Sequence, residues 1–262
     1  MDSSKKVYFV TGAFINSNSW DSWKTFFESN GYDVIIPIWP YKEGTTEALR
    51  AKHPDAILGT LTLSQLLTYY IEIIKKEEKK PMAIGHSLGG LIVQLLLQAN
   101  HLSMGVAIHS MPPKGVYTFQ LSFFKSLWKP FGFFKSKNTP HLMTMEEWQY
   151  AFTNSMDFKE QKETYEKFLI PESRRIIRSF LTKSANVNFK NKKHPLLFVA
   201  GSNDHMMPPR LNFLNFRKYK NSPSVTNYKE FEGIDHFVLG GKQWEKIATY
   251  IMNWLKQHGS EN

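Results

Sequence analysis

Around residue 87 the chain runs Pro81-Met-Ala-Ile-Gly-His-Ser-Leu-Gly-Gly-Leu-Ile-Val, which is a short apolar run, a turn and then an apolar helical face. At the turn stands Gly85-His86-Ser87-Leu88-Gly89, the pattern G-x-S-x-G. A serine on a sharp strand-to-helix turn has strained backbone angles, and the residues two positions either side have no room for a bulky Cβ. Gly85 and Gly89 meet that demand, and Gly90 lets the helix pack close behind. A glycine-rich phosphate loop would also sit at a helix N-terminus, but it needs a Lys-Ser/Thr ending or the spacing G-x-G-x-x-G, and neither is present. The stretch therefore predicts a parallel α/β architecture with a serine hydroxyl presented at a strand end.

The rest of the chain repeats the unit. Lys6–Val10 reads as a strand, 20–30 as a helix with Trp20, Trp23, Phe26 and Phe27 at helical spacing, and 33–39 as a second strand interrupted by Pro37. Residues 41–62 read as irregular, 63–79 as a helix and 104–109 as a strand. The pattern resumes with a strand at 195–200, a helix at 209–219, a strand at 225–231 and a final amphipathic helix at 243–256. Near-continuously apolar strands alternating with helices predict a mostly parallel sheet of about six strands with helices on both faces. Residues 112–193 break the alternation. They are rich in Phe, Trp, Met and Lys, and 144–153, 158–168 and 172–182 read as helices, so this part is expected to be a strand-free helical cap. Residues 1–111 and 194–262 then form the core.

Composition narrows the function. The net charge is +10, from 33 basic and 23 acidic residues, but the lysines are dispersed and only Lys190, Lys192 and Lys193 cluster. Solvated loops and helix ends explain that distribution better than a nucleic-acid footprint, while weak attraction to anionic membrane surfaces stays open. A chain with no cysteine has no disulfide, thiolate metal site or cysteine nucleophile. The start Met-Asp-Ser-Ser-Lys-Lys leads directly into a short apolar run, unlike a signal peptide. No stretch approaches the ~18 apolar residues of a membrane span. A cytoplasmic setting is the expectation.

Serine is a weak nucleophile at neutral pH and needs a base that is itself oriented by a carboxylate. His236, in Gly233-Ile-Asp-His-Phe237, follows the last strand, and Asp204, in Gly201-Ser-Asn-Asp204, follows the strand before it. The order Ser87, Asp204, His236 has gaps of 117 (204 minus 87) and 32 (236 minus 204) residues. Asp235 adjoins His236, and adjacent side chains rarely aim at one another. His205 as base would leave His236 idle, and His86 reads as a packed turn residue. An oxyanion hole is expected from the backbone N–H of Leu88 and, in the loop after the first strand, of Ala13, with Phe14 as the alternative second donor. Phe14, His109, Met111 and Phe237 are candidate pocket residues. No metal and no organic cofactor is implied.

With the Thr11-Gly12 loop, the Gly85–Gly89 elbow, the segment after Pro112-Pro113, Asp204 and His236, the chain resembles the α/β-hydrolase superfamily, in its cap-bearing esterase/lipase-like group, over nearly its whole length. The resemblance implies a serine hydrolase that cleaves a carboxylic ester with an apolar acyl or aryl group through an acyl-enzyme, on a small-molecule substrate chosen in part by the cap. It departs from the family in having Thr11-Gly12 where His-Gly is usual, and in starting without the fold's N-terminal antiparallel hairpin. Dehalogenases and epoxide hydrolases of the superfamily need an aspartate at position 87, and hydroxynitrile lyases carry a lysine where Phe237 stands. Cofactor-free perhydrolase or haloperoxidase-type chemistry, lyase chemistry on the same three residues, and a slow-turnover ligand sensor are the alternatives the resemblance leaves.

Overall fold

The computed structural model describes residues 5–259, so the two ends of the expected core segments, 1–4 and 260–262, lie outside the described residues. Strand β1 (Lys6–Val10) leads into helix α1 (Asp21–Ser29) and the short strand β2 (Asp33–Ile35). Helices α2 (Thr46–Ala51) and α3 (Leu63–Ile74) precede β3 (Met82–His86), α4 (Leu88–Gln98) and β4 (Met104–Ile108). Between β4 and the next sheet strand come α5 (Leu121–Phe131), β5 (Pro140–His141), α6 (Met145–Ala151), α7 (Phe158–Phe168), β6 (Glu172–Ser173) and α8 (Arg174–Ile177). The chain then closes with β7 (Leu196–Gly201), α9 (Pro209–Lys218), β8 (Thr226–Phe231) and α10 (Trp244–Gly259).

Six strands form one sheet in the order β2-β1-β3-β4-β7-β8, each parallel to its neighbours. Burial follows position in the sheet. β3, β4 and β7 are buried along their whole lengths, whereas the edge strands β2 and β8 carry exposed and half-buried residues. A parallel strand covered on both faces has no polar side to show, which is why these segments read as continuous apolar runs. Helices α3 and α4 pack together, α4 lying on β1, β3 and β4, while α1 packs on α10 and β2, and α9 covers β7 and β8. All six strands point their C-terminal ends the same way, so the loops holding Ala13, Ser87, His109, Asp204 and His236 emerge on one rim.

Three elements differ from the sequence reading. The second strand stops at Ile35 rather than Trp39, because Pro37 has no N–H to offer the ladder. Residues 46–51 are helical where an irregular loop is expected; Thr45 caps them by accepting the Ala48 N–H. The segment 112–193 is not strand-free, since β5 and β6 pair antiparallel with Pro140 opposite Ser173 and His141 opposite Glu172. Two-residue strands are too short to show alternation, so no periodicity could mark them. The expected helix at 172–182 is broken accordingly into β6, α8 and short 3₁₀ turns. Helix α5, which the sequence reading does not place, carries Pro130 in its last turn and ends on Gly132 in the left-handed conformation at φ 58°.

Candidate active site

Ser87 joins β3 to α4 at φ 55° and ψ −116°, a conformation that a non-glycine residue adopts only when its surroundings impose it. They do so closely. Ser87 N–H donates to Ile108 O (2.9 Å), and Ser87 O accepts from Gly90 N–H (3.0 Å) and Met111 N–H (2.9 Å). A Cβ on Gly89 would overlap the Val10 carbonyl, and one on Gly85 would overlap the backbone of Gly89. Both glycines are therefore fixed by close approach of backbone to backbone. Phe14 and His109, at the ends of β1 and β4, also have positive φ, 67° and 48°. Strain is concentrated on this rim.

Ser87 Oγ lies 3.0 Å from His236 Nε2, and His236 Nδ1 lies 2.8 Å from Asp204 Oδ2. Beside a carboxylate the Nδ1 carries the proton, which leaves Nε2 with its lone pair to accept from the serine hydroxyl. Asp204 Oδ1 accepts the Met207 N–H at 2.7 Å, so the carboxylate is held at both oxygens. Burial alone would raise its pKa, but His236 and His109 outweigh that and hold it well below the usual carboxylate range. All three side chains are buried, Ser87 at 2 % exposure.

Two further histidines border this chain of hydrogen bonds. His86 Nε2 reaches His236 O at 2.8 Å, and because a carbonyl only accepts, Nε2 is the protonated nitrogen and Nδ1 is bare. Burial, then the neighbouring His236 and His109, push its pKa well below the ordinary histidine value, so it stays neutral. His109 Nδ1 stands 3.2 Å from Asp204 Oδ2, yet neither of its ring nitrogens completes a well-aligned hydrogen bond. The ligand-type nitrogens of His86, His109 and His236 come within 4.8 Å of one another. Both nitrogens of His236 and one of His86 are already engaged in hydrogen bonds.

The expected oxyanion donors are distributed as follows. Leu88 is the first residue of α4, so its N–H has no partner within the helix, and the positive end of the helix dipole lies there. Among the described residues neither the Leu88 nor the Ala13 N–H makes a hydrogen bond. Phe14, the alternative second donor, has its N–H directed to Glu172 Oε2 at 3.3 Å. That carboxylate also accepts from Lys42 Nζ (2.5 Å) and, through Oε1, from its neighbour's N–H on Ser173 (2.8 Å). The same loop is stitched to the insertion by Asn16 N–H to Phe168 O and Ile170 N–H to Phe14 O, both 2.9 Å. Sequence reasoning misses Glu172 and Lys42, because nothing local marks two charges 130 residues apart as partners.

Asp235 is turned away from His236: its Oδ2 accepts the Ser155 N–H at 3.1 Å, and burial pushes its pKa up to about 6. His205 Nδ1 meets Tyr150 O at 2.9 Å and takes no part in the site. Of the candidate pocket residues, Phe14, His109, Met111 and Phe237 are all buried. Phe237 packs on Trp148 and Phe168, with ring centroids 5.3 Å away in each case. None of the four lines the apolar cavity of about 490 Å³, whose walls are residues of 116–133 with Phe180, Leu181 and Leu211. Over the site itself, the Phe152 ring from the insertion lies 4.8 Å from the His236 ring, and Phe152 O accepts the Phe237 N–H at 2.8 Å.

Residues 7–248 match the model of the alpha/beta hydrolase family. Among solved structures, a monoacylglycerol lipase from Paleococcus ferrophilus superposes with a TM-score of 0.68 at 19 % identity, covering 97 % of this chain and 94 % of its own. An extracellular alpha/beta-hydrolase from a Paenibacillus species gives a TM-score of 0.71 at 16 % identity, over 95 % and 98 %. A methylesterase from Arabidopsis gives 0.67 at 16 %, over 96 % and 98 %. At such identities the likeness is one of fold. No curated protein matches the chain.

Proposed function

The chain belongs to the alpha/beta hydrolase family, and from that premise we propose that it is a serine hydrolase cleaving a carboxylic ester with an apolar acyl or aryl group. The observation that carries the reading is the unbroken line Ser87 Oγ, His236 Nε2, His236 Nδ1, Asp204 Oδ2, with steps of 3.0 and 2.8 Å across the two hydrogen bonds. Ser87 Oγ attacks the ester carbonyl as His236 Nε2 takes its proton. Asp204 keeps the proton on His236 Nδ1 and stabilises the imidazolium that forms. The Leu88 and Ala13 N–H groups receive the oxyanion, the alcohol leaves with the proton held on Nε2, and water deprotonated by His236 releases the acid.

In this enzyme residues 1–111 and 194–262 are the core and 112–193 a cap. Phe152 against His236, and Ser155 against Asp235, support that division, since both reach from the insertion to the site. A serine this buried requires the cap to shift before substrate enters, and the aromatic side chains that would line the opening favour an apolar substrate. Esterase and lipase names among the structural relatives point the same way. The test is labelling by a fluorophosphonate together with turnover of p-nitrophenyl esters of several chain lengths. Ser87→Ala should abolish both. Labelling that persists at another serine would overturn the assignment, and a single burst with product retained would replace an enzyme with a ligand sensor.

A further inference from the structure

Between residues 112 and 145 there are five lysines (Lys114, Lys125, Lys129, Lys135 and Lys137) and no aspartate or glutamate. In the same stretch Phe119 is 92 % exposed, Leu121 84 %, Trp128 60 % and Phe134 95 %, with Phe124 and Phe133 about half exposed. Helix α5 has two apolar faces. Phe123, Leu127 and Phe131 point inward, while Leu121, Phe124 and Trp128, spaced three and four apart, form a stripe open to solvent. Lys125 and Lys129 are exposed and each follows a member of the stripe.

A soluble surface rarely leaves several large aromatic residues uncovered together. Here they are held in place rather than trailing. Arg178 Nε donates to Phe131 O at 2.8 Å and its Nη2 to Lys135 O at 3.0 Å, Arg174 Nη1 donates to Lys129 O at 2.7 Å, and Lys135 N–H closes a turn on Gly132 O at 2.8 Å. Phe133 rests on Phe131 and Trp128, with centroids 4.4 and 5.4 Å away. Phe134 is thereby presented outward on a fixed turn. The 490 Å³ apolar cavity is walled by Phe119, Phe124, Trp128 and Phe133, so it opens on this same surface. Glu146 and Glu147 border the depression between α5 and α6, and no other carboxylate lines it.

We propose that this surface docks on an anionic phospholipid bilayer, with the apolar side chains of Phe119, Leu121, Trp128 and Phe134 entering the headgroup layer and the lysines facing lipid phosphates. Aromatic and leucine side chains flanked by lysine are what lets a helix lie in a membrane interface without crossing it, and no helix among the described residues is long and apolar enough to cross one. Charge decides between occupants. A second copy of this chain would bring the same lysine-bearing stretch, with Glu146 and Glu147 only at its border, against itself, whereas a lipid phosphate surface is complementary to its lysines. The chain's net charge of +10 steers it in the same direction.

Vesicle co-sedimentation tests this on the full chain and on its Ser87→Ala variant, so the result is read separately from any hydrolase activity. Vesicles of phosphatidylcholine with roughly one part in three phosphatidylglycerol should bind both proteins, and pure phosphatidylcholine should bind far less. Lys125→Gln/Lys129→Gln should weaken binding roughly 30-fold, from about 1 kcal/mol of surface attraction per lysine at about 1.4 kcal/mol per factor of ten, and raised salt should weaken it too. Phe119→Ser/Phe134→Ser, at positions too exposed to affect folding, should weaken it at least tenfold or so. Equal binding by the wild type and the Phe119/Phe134 variant, or no preference for the anionic vesicles, would overturn the proposal. So would a concentration-dependent dimer that Phe134→Ser dissociates, in a protein that ignores vesicles.

Discussion

His109 Nδ1 stands 3.2 Å from Asp204 Oδ2, the same oxygen that accepts from His236 at 2.8 Å. One carboxylate oxygen thus faces two imidazoles, in a place where no water-exposed surface screens it. His109 is itself held in a left-handed backbone conformation, φ 48°, with its backbone N–H donating to Val199 O at 2.8 Å. Holding a histidine there has a backbone cost of order 1–3 kcal/mol, which points to a use. We read His109 as a positioning residue that keeps the Asp204 carboxylate ionised and aimed at His236.

That reading gives a graded prediction. Asp204→Asn should reduce ester turnover by about 10⁴, because the amide favours the wrong imidazole tautomer. His109→Asn keeps a residue type that tolerates positive φ but withdraws the imidazole, and should lower kcat by about tenfold with little change in KM. Steady-state kinetics on a p-nitrophenyl ester decide it. Unchanged kcat in His109→Asn would leave His109 as packing only.

Asp235 gives a stability prediction with a definite sign. Its pKa is raised by burial from an ordinary 3.8 to about 6, so between those values the folded chain binds a proton that the unfolded chain has released. Stability contributed by this group is therefore lost as pH rises from about 4 to about 6, by up to about 3 kcal/mol at 1.36 kcal/mol per pKa unit. Asp204, shifted the other way, loses its contribution only as pH falls below the ordinary carboxylate range, outside that window. Asp235→Asn keeps an acceptor for Ser155 N–H and should be the more stable protein at pH 7.5 and not at pH 4. Urea midpoints for both proteins across pH 4–8 measure it; parallel profiles would show that Asp235 is not titrating in that range.

Glu172, in the insertion, accepts both from Lys42 Nζ and from the Phe14 N–H in the loop after β1, and the Lys42 and Glu172 side chains are buried. Burial lowers the Lys42 pKa despite the opposing pull of Glu172, a sign that desolvation is the larger effect there. Removing one partner leaves the other charge buried and alone, so Lys42→Met should cost about 3–5 kcal/mol. Lys42→Met/Glu172→Leu leaves no lone charge buried and should recover part of that, while taking away the acceptor of the Phe14 N–H. Turnover should separate from stability, because Glu172 also fixes the Phe14 N–H next to Ala13. In the stable double variant kcat is expected to fall more than KM rises. A double variant with wild-type kcat would remove Glu172 from any part in orienting the loop.

How much of this was legible in the sequence depends on the range of the interaction. The sheet could be read because each buried parallel strand is a local apolar run, and the turn at Ser87 because its pattern is contiguous: Gly85 is demanded by the backbone of Gly89 four residues on, although what crowds Gly89 is the distant Val10 carbonyl. Asp204 and His236 could be placed on the rim because each immediately follows a strand. The His109 contact with Asp204 could not be read, since it depends on how two side chains turn at the ends of neighbouring strands. Nor could β5 and β6, two residues each, whose pairing is decided by the packing around them. The solvent-facing stripe on α5 was hidden for a related reason. Its apolar residues fill both sides of the helix, so no periodicity marks the side that the fold leaves bare.

The glycines behind Ser87 separate two kinds of crowding. A methyl group on Gly89 would strike the Val10 carbonyl, and one on Gly90 would come within 2.9 Å of the Ser110 side chain. A carbonyl at the end of β1 cannot retreat without moving the strand and the Ala13 loop that follows it. The Ser110 hydroxyl is also engaged, accepting from Gln94 Nε2 at 2.9 Å and donating to Met111 O at 2.9 Å; turning it leaves the Ser110 Cβ in place, so Ser110 must move as a whole, but by far less than the Val10 carbonyl would have to. Overpacking of a side-chain neighbour costs about 1–3 kcal/mol, so Gly90→Ala should fold with a lowered Tm and measurable turnover. Gly89→Ala should exceed that range and fail to accumulate as folded protein, by circular dichroism and by loss of the cooperative thermal transition. If Gly89→Ala folds with the stability of Gly90→Ala, the close approach of α4 to β1 is looser than these distances imply.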